Sequence, residues 1–147
     1  MEVTFKVAQN PDIDQLISFM RAYYEYDHIP FDEARARNTV RTMIDDPACG
    51  YAWLICWNDQ LVGYVVLAIG FSLEFGRDAF LDEIYIQEAY RGQGIGTKAL
   101  AFVEETCREL GVQALHLEVE QENVKAQEFY QKMGYEDHHR FLLTKWI

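Results

Sequence analysis

The chain opens on an alternation: Val3, Phe5 and Val7 are apolar while Glu2, Thr4 and Lys6 are polar, the two-residue period of a strand buried on one face. At Asn10 the period changes. Asn10-Pro11 supplies a helix N-cap and a proline for the first helical position, and Ile13, Leu16, Ile17, Met20, Tyr23 and Tyr24 then recur at helical spacing. The stretch from Glu25 to Phe31 breaks that stripe. Asp32 can cap a second helix running through Val40, Met43 and Ile44 to about Asp45, where Pro47 and Gly50 end it. Two apolar runs, Tyr51 to Trp57 and Leu61 to Ile69, flank Asn58-Asp59-Gln60 and predict a hairpin. Phe71 to Asp78 reads as a loop and Phe80 to Gln87 as a further strand.

That strand runs into Arg91-Gly92-Gln93-Gly94-Ile95-Gly96 and then into a helical stripe of Ala99, Phe102, Val103, Cys107 and Leu110, stopped by Gly111. Ala114 to Glu120 alternates again. Asn123 caps a last helix whose face is Ala126, Phe129, Tyr130 and Met133, Gly134 stops it, and a closing strand is expected near Phe141 to Trp146. The order is that of a mixed α/β fold in one layered domain over residues 1–147, without repeats or linkers.

The strand, glycine loop and helix at Leu81 to Gly96 carry the candidate chemistry. A helix start leaves backbone N–H groups unpaired and partly positive, so a loop whose glycines admit close approach can seat a phosphate. Glycines at 92, 94 and 96 do not fit the spacing G-x-G-x-x-G, and Gly96-Thr97-Lys98 has the phosphate-loop residue types in the wrong order. A glycine turn that merely lets helix and strand pack closely satisfies the same pattern. What remains, Arg-x-x-Gly-x-Gly between strand and helix, resembles the coenzyme A pyrophosphate loop of the GNAT acetyltransferase superfamily. A second motif, Asn123-x-x-Ala126-x-x-x-Tyr130-x-x-x-Gly134-Tyr135 after Leu117-Glu118-Val119, is similar to the C-terminal half of the same pattern. The segment around Leu81 to Gly96 also resembles the diamine and thialysine acetyltransferases of that superfamily.

The resemblance implies a mixed, mostly antiparallel sheet of six to seven strands flanked by about four helices, with acetyl-CoA as cosubstrate. Many relatives are dimers, so a homodimer is compatible with it. Pantetheine amides behave like peptide and can pair with a free strand edge, which Ile84, Tyr85 and Ile86 would offer. Backbone amides of Arg91, Gly92, Gln93, Gly94, Ile95, Gly96 and Thr97 would hold the pyrophosphate. Arg91 would add a fixed charge, unless it forms a surface ion pair. Asn123 and Tyr130 are carried over with the second motif.

Acetyl transfer to a primary amine by direct attack in a ternary complex needs a deprotonated amine, because an ammonium of pKa about 10.4 has no lone pair. It also needs an acid for the departing thiolate. Tyr130 resembles the family's tyrosine general acid, although position 130 equally continues an apolar helical face. For the base, Glu118, Glu83 and Asp82 are candidates; pleating is expected to point adjacent Asp82 and Glu83 to opposite faces, and in many relatives a water relay replaces a side chain. Tyr24, Glu25, Asp27 and Phe31, with Glu74 in the later loop, could line a pocket for a cationic acceptor or could be ordinary helix-end packing. Acetylation of a protein lysine or N-terminus, and a non-catalytic acyl-CoA-binding module, are the alternatives.

Composition narrows the acceptor more than the fold. Thirteen basic and twenty-four acidic residues give a net charge of −11, which repels nucleic acid and favours cationic ligands such as polyamines or lysine-like amines. The 147 residues are half apolar, enough for one real core. No apolar run reaches a membrane span and MEVTFKVAQN lacks a signal-peptide layout, so a cytoplasmic location is expected. Cys49, Cys56 and Cys107 are widely spaced, odd in number and set in apolar surroundings, fitting reduced buried thiols better than disulfides or a zinc site. His116, His138 and His139 show no metal spacing, and no metal is expected.

Overall fold

In the computed structural model, which describes residues 2–147, the opening alternation forms β1 (Val3–Val7). The helix start lies slightly away from the expected cap. Asn10 to Asp12 make a single 3-10 turn ahead of α1 (Ile13–Tyr26). Gln9 N donates to Asp12 Oδ2 at 2.8 Å and Asp12 N donates back to Gln9 O at 2.8 Å, so Gln9 rather than Asn10 closes the turn. α2 (Glu33–Asp45) begins as the sequence predicts, with Asp32 Oδ1 accepting from Arg35 N at 3.0 Å.

β2 (Gly50–Trp57) and β3 (Gln60–Ser72) form the expected hairpin, and Asn58 and Asp59 both take the left-handed backbone of a two-residue turn. β4 (Gly76–Ile86) begins earlier than expected, because most of the supposed loop at 71–78 is paired strand, with Ser72 opposite Gly76. The Ser72 hydroxyl accepts from Glu74 N and Phe75 N and so closes the hairpin within three residues. α3 (Ile95–Glu109) follows the glycine loop, and β5 (Ala114–His116) returns parallel to β4.

The sheet order is β1-β2-β3-β4-β5, antiparallel except for β4 with β5. α1 and α2 bury Ile13, Leu16, Ile17, Phe19, Met20 and Val40 against Ala52, Leu54, Tyr64 and Val66 on one face. α3 buries Ile95 and Ala99 against Ile55 and Val62 on the other. Val62 reaches that second face through a bulge, since Gly63 pairs with Ile55 and Leu61 with Cys56, leaving Val62 unpaired.

The described residues through Leu117 form one compact unit and Glu118–Ile147 a second. Within the second, α4 (Val124–Lys132) is capped by Asn123, whose Oδ1 accepts from Ala126 N at 3.1 Å. Among the described residues there are five strands, not six to seven. The difference lies at the C-terminal end: β5 covers only Ala114–His116 of the expected 114–120, and 141–146 join no ladder. Phe141 and Leu143 are 81% and 89% exposed. Alternation records which side chains favour burial, not whether a neighbouring backbone is in reach, and a strand needs that neighbour. Among the described residues no helix is long and apolar enough to cross a membrane, and no group of three or more His, Cys, Asp or Glu could hold a metal ion.

Candidate active site

β4 carries the site because its regularity fails at one residue. Val66 pairs with Glu83 and Leu67 with Leu81, so Asp82 is an extra residue bulged out of the ladder. The pleat argument that would send Asp82 and Glu83 to opposite faces therefore does not hold here. Both carboxylates bear electrostatically on Tyr23 and Tyr24 of α1, and Asp82 bears on Glu83.

Glu83 is the centre of that cluster. Tyr24 donates its hydroxyl to Glu83 Oε2, and Tyr64 from β3 donates to Oε1 at 2.7 Å. Burial pushes the Glu83 carboxyl above the usual glutamate range and the Asp82 charge adds to it, while the two phenol hydrogen bonds oppose the rise without cancelling it. Asp82 is also pushed up by partial desolvation, but its side chain meets solvent, so water screens the consequence more than at half-buried Glu83. The phenols shift in turn. Burial, then Asp27 and Glu83, bring Tyr23 to about 12, and burial followed by Glu83 raises Tyr24 and Tyr64 further. Phe31 meets Tyr24 with ring centroids 5.1 Å apart, and Tyr85 lies 6.0 Å from Tyr23. Two carboxylates close to several aromatic rings make surroundings suited to an ammonium group.

Beyond Glu83 no strand among the described residues pairs with the outer edge of β4. β5 pairs only with Asp78–Phe80. Gln87 N donates to Val62 O at 2.8 Å, and antiparallel alternation then turns the peptide groups of Ile84 and Ile86 away from β3. Arg91 takes part of that edge, its Nε donating to Ile86 O at 2.7 Å. Its guanidinium lies over Tyr26 at 4.9 Å and Tyr85 at 5.6 Å. Gly92 and Gly94 have φ of 76° and 84°, and a Cβ at either would meet nothing within 4 Å. Gly94 caps α3 without any side-chain hydrogen bond, and the first backbone donor to close on it is Lys98 N, bonded to Gly94 O. The amides of Ile95, Gly96 and Thr97 thus precede the helical ladder. Buried Ile95 anchors this mouth from below, while Gln93 and Thr97 are exposed. Open space over left-handed glycines at a helix start with no side-chain cap fits a diphosphate, and the adjacent strand edge fits an amide chain.

Residues 14–135 match the acetyltransferase (GNAT) family. The chain belongs to that family. Over 77 residues, 52% of this chain and 45% of the other, it is 36% identical to a thialysine N-epsilon-acetyltransferase of Bos taurus. The chain thus spans about half the length of the curated relatives it matches there. It is 30% identical to an aminoalkylphosphonate N-acetyltransferase of Salmonella typhimurium over 82% of this chain and 75% of that one. The crystal structure of a predicted acetyltransferase with acetyl-CoA from Clostridium acetobutylicum shares the fold, with a TM-score of 0.81 at 17% identity over 98% of this chain and 96% of that one.

The other candidate residues of this GNAT chain fall into distinct places. Tyr24 and Phe31 join the Glu83 cluster. Asp27 acts on Tyr23, and Glu25 lies exposed on α1. Glu74 sits in the β3–β4 turn, and the seven-residue rise from Gly76 to Glu83 spans about 23 Å, so the fold does not bring Glu74 to Glu83. In the second unit Tyr130 is half-buried beside Phe129 and Tyr135, burial raises its phenol, and Glu118 is exposed. The Asn123 side-chain oxygen serves α4, and Asn123→Ala is expected to cost about 1 kcal/mol of stability, read as a lower denaturation midpoint. Tyr64 carries a role that the pattern of the chain did not single out. A tyrosine inside an otherwise branched apolar strand has a hydroxyl needing a buried partner, and that was its one available signal.

Proposed function

We propose that this chain transfers the acetyl group of acetyl-CoA directly to a primary amine on a small cationic acceptor, with Glu83 as general base and Tyr130 as general acid. The observation that carries it is the Glu83 carboxyl on the strand that leads into the glycine mouth, its pKa raised by burial and its two oxygens held by the Tyr24 and Tyr64 phenols. The bovine relative's name, that of a thialysine N-epsilon-acetyltransferase, supports an acceptor with a terminal amine. The net charge of −11 favours a cation, and the free cysteines, of which Cys107 is buried but Cys49 is exposed contrary to expectation, accord with a cytoplasmic setting.

In this scheme the diphosphate rests on amides from Arg91 to Thr97, and pantetheine pairs with the outward peptide groups of Ile84 and Ile86, sparing the Ile86 carbonyl held by Arg91. Asp82 and the rings around Glu83 attract the acceptor ammonium. Glu83 takes one of its protons, the nitrogen lone pair attacks the thioester carbonyl, and the C–S bond breaks. Tyr130, kept protonated by burial, gives its proton to the leaving sulfur, and the second proton shed by the acylated nitrogen restores the phenol. Glu118, exposed in the second unit, has no part in this scheme.

The test is acetyl-CoA consumption with 1,5-diaminopentane, spermidine, thialysine, an aminoglycoside and a lysine-containing peptide, comparing wild type with Tyr130→Phe. Turnover is expected with the diamines or thialysine, and Tyr130→Phe is expected to lower kcat by about 100-fold. A variant equal to wild type at every pH removes Tyr130 from the role of acid. Turnover with the peptide alone would move the acceptor to a protein lysine.

A further inference from the structure

Both oxygens of Glu83 are already engaged. Oε1 accepts from Tyr64, which is fully buried, and Oε2 accepts from Tyr24, which is half-buried on the last turn of α1 with its ring against Phe31. Tyr24 is half-buried where Tyr64 is fully buried, so of the two phenols on Glu83 it is the one whose hydroxyl oxygen, with its remaining lone pair, an acceptor ammonium can reach. Resting on the assignment of Glu83 as the base, we propose that Tyr24 is a catalytic proton carrier between the acceptor and Glu83, the Tyr24 oxygen taking the ammonium proton as its own O–H proton passes to Glu83 Oε2. One N–H bond breaks, one O–H bond is exchanged and one forms on the carboxylate. The products are a neutral amine with its lone pair, an unchanged phenol and a protonated Glu83.

The surroundings suit a carrier rather than a second base. The titratable groups facing Tyr24 are Glu83 and Asp82 from β4, Tyr64 from β3 and its neighbour Tyr23 on α1. No cation is among those groups, and burial together with Glu83 keeps the phenol protonated at neutral pH. The hydroxyl therefore always has a proton to pass on. A tyrosine in this position does what a bound water would otherwise do, with its oxygen fixed by the α1 backbone.

The experiment measures kcat/KM for the fastest acceptor of the panel from pH 6 to 10, in wild type, Tyr24→Phe and Glu83→Gln, together with the proton inventory in mixtures of H₂O and D₂O. Circular dichroism and coenzyme A affinity establish that each variant is folded. Tyr24→Phe is expected to lose about 100-fold at pH 7. The deficit should narrow to less than about tenfold near pH 10, where an amine of pKa about 10.4 supplies its own lone pair. The wild-type inventory should curve, as two moving protons require, and that of Tyr24→Phe should be linear. Activity of Tyr24→Phe within about threefold of wild type at pH 7, or a deficit equal at every pH, overturns the carrier, the latter marking Tyr24 as packing alone. If Glu83→Gln matched wild type, the base itself would be misassigned; if Glu83→Gln is inactive while Tyr24→Phe is not, only the carrier fails.

Discussion

Glu83→Gln is expected to lower kcat/KM for the amine by about 10²- to 10⁴-fold and at the same time to raise the melting temperature at neutral pH. The two effects share one cause. Burial places the folded-state pKa of Glu83 above the value of 4.5 it has in an open chain. The stabilising contribution of the group is complete below that open-chain value and is lost as pH rises through the raised folded one. Ionising Glu83 in the native protein thus carries a desolvation cost that Tyr24 and Tyr64 only partly offset. Glutamine keeps the shape and removes the charge. Its melting temperature should exceed that of wild type at pH 7, with the gap closing as pH falls below 4.5. Activity within tenfold of wild type would exclude Glu83 as base, and a stability deficit larger at pH 7 than at pH 4 would show that burial does not dominate its energetics.

The setting of Glu83 is what the sequence conveys least. Helices and strands were legible because each rests on local periodicity and local caps: Asp32 and Asn123 accept the backbone hydrogen bonds their positions predict, and Gly111 and Gly134 take the left-handed backbone that ends a helix. The glycine mouth was legible for the same reason. The bulge at Asp82 was not, because it is a relation between β3 and β4 rather than a property of either strand. Without it, pleating separates two carboxylates that the fold in fact directs at the same tyrosines. Tyr64 and Glu83 are nineteen residues apart and meet across that same ladder. Arg91 shows the limit from the other side. Its charge was readable, but its engagement with Ile86 O and the rings of Tyr26 and Tyr85 depends on where α1 ends relative to β4.

Gly94→Val is expected to weaken coenzyme A binding by about 100-fold, or about 2.8 kcal/mol at 1.4 kcal/mol per tenfold, while the protein stays folded. The backbone at Gly94 has φ 84°, and a residue with a branched Cβ there costs about 1–2 kcal/mol unless the loop relaxes. Relaxation turns amides away from the diphosphate, and a charge-assisted hydrogen bond lost in this way is worth about 1.5–3 kcal/mol. Relaxation thus gives a loss of affinity of the stated size, whereas unrelaxed strain lowers folding stability. The protein itself offers no clash, since nothing lies within 4 Å of a Cβ at 94, so the added methyls project into the space where the ligand would sit. Gly96→Ala is the internal comparison: its Cβ would meet Ile86 Cδ1 at 3.6 Å, an ordinary contact without a left-handed backbone, and it reports on ligand approach alone. Calorimetric titration of coenzyme A into the three proteins separates the cases. A folded Gly94→Val that binds as wild type would mean that the helix mouth does not hold the diphosphate, and the glycines at 92 and 94 would then serve only to turn the chain from β4 into α3.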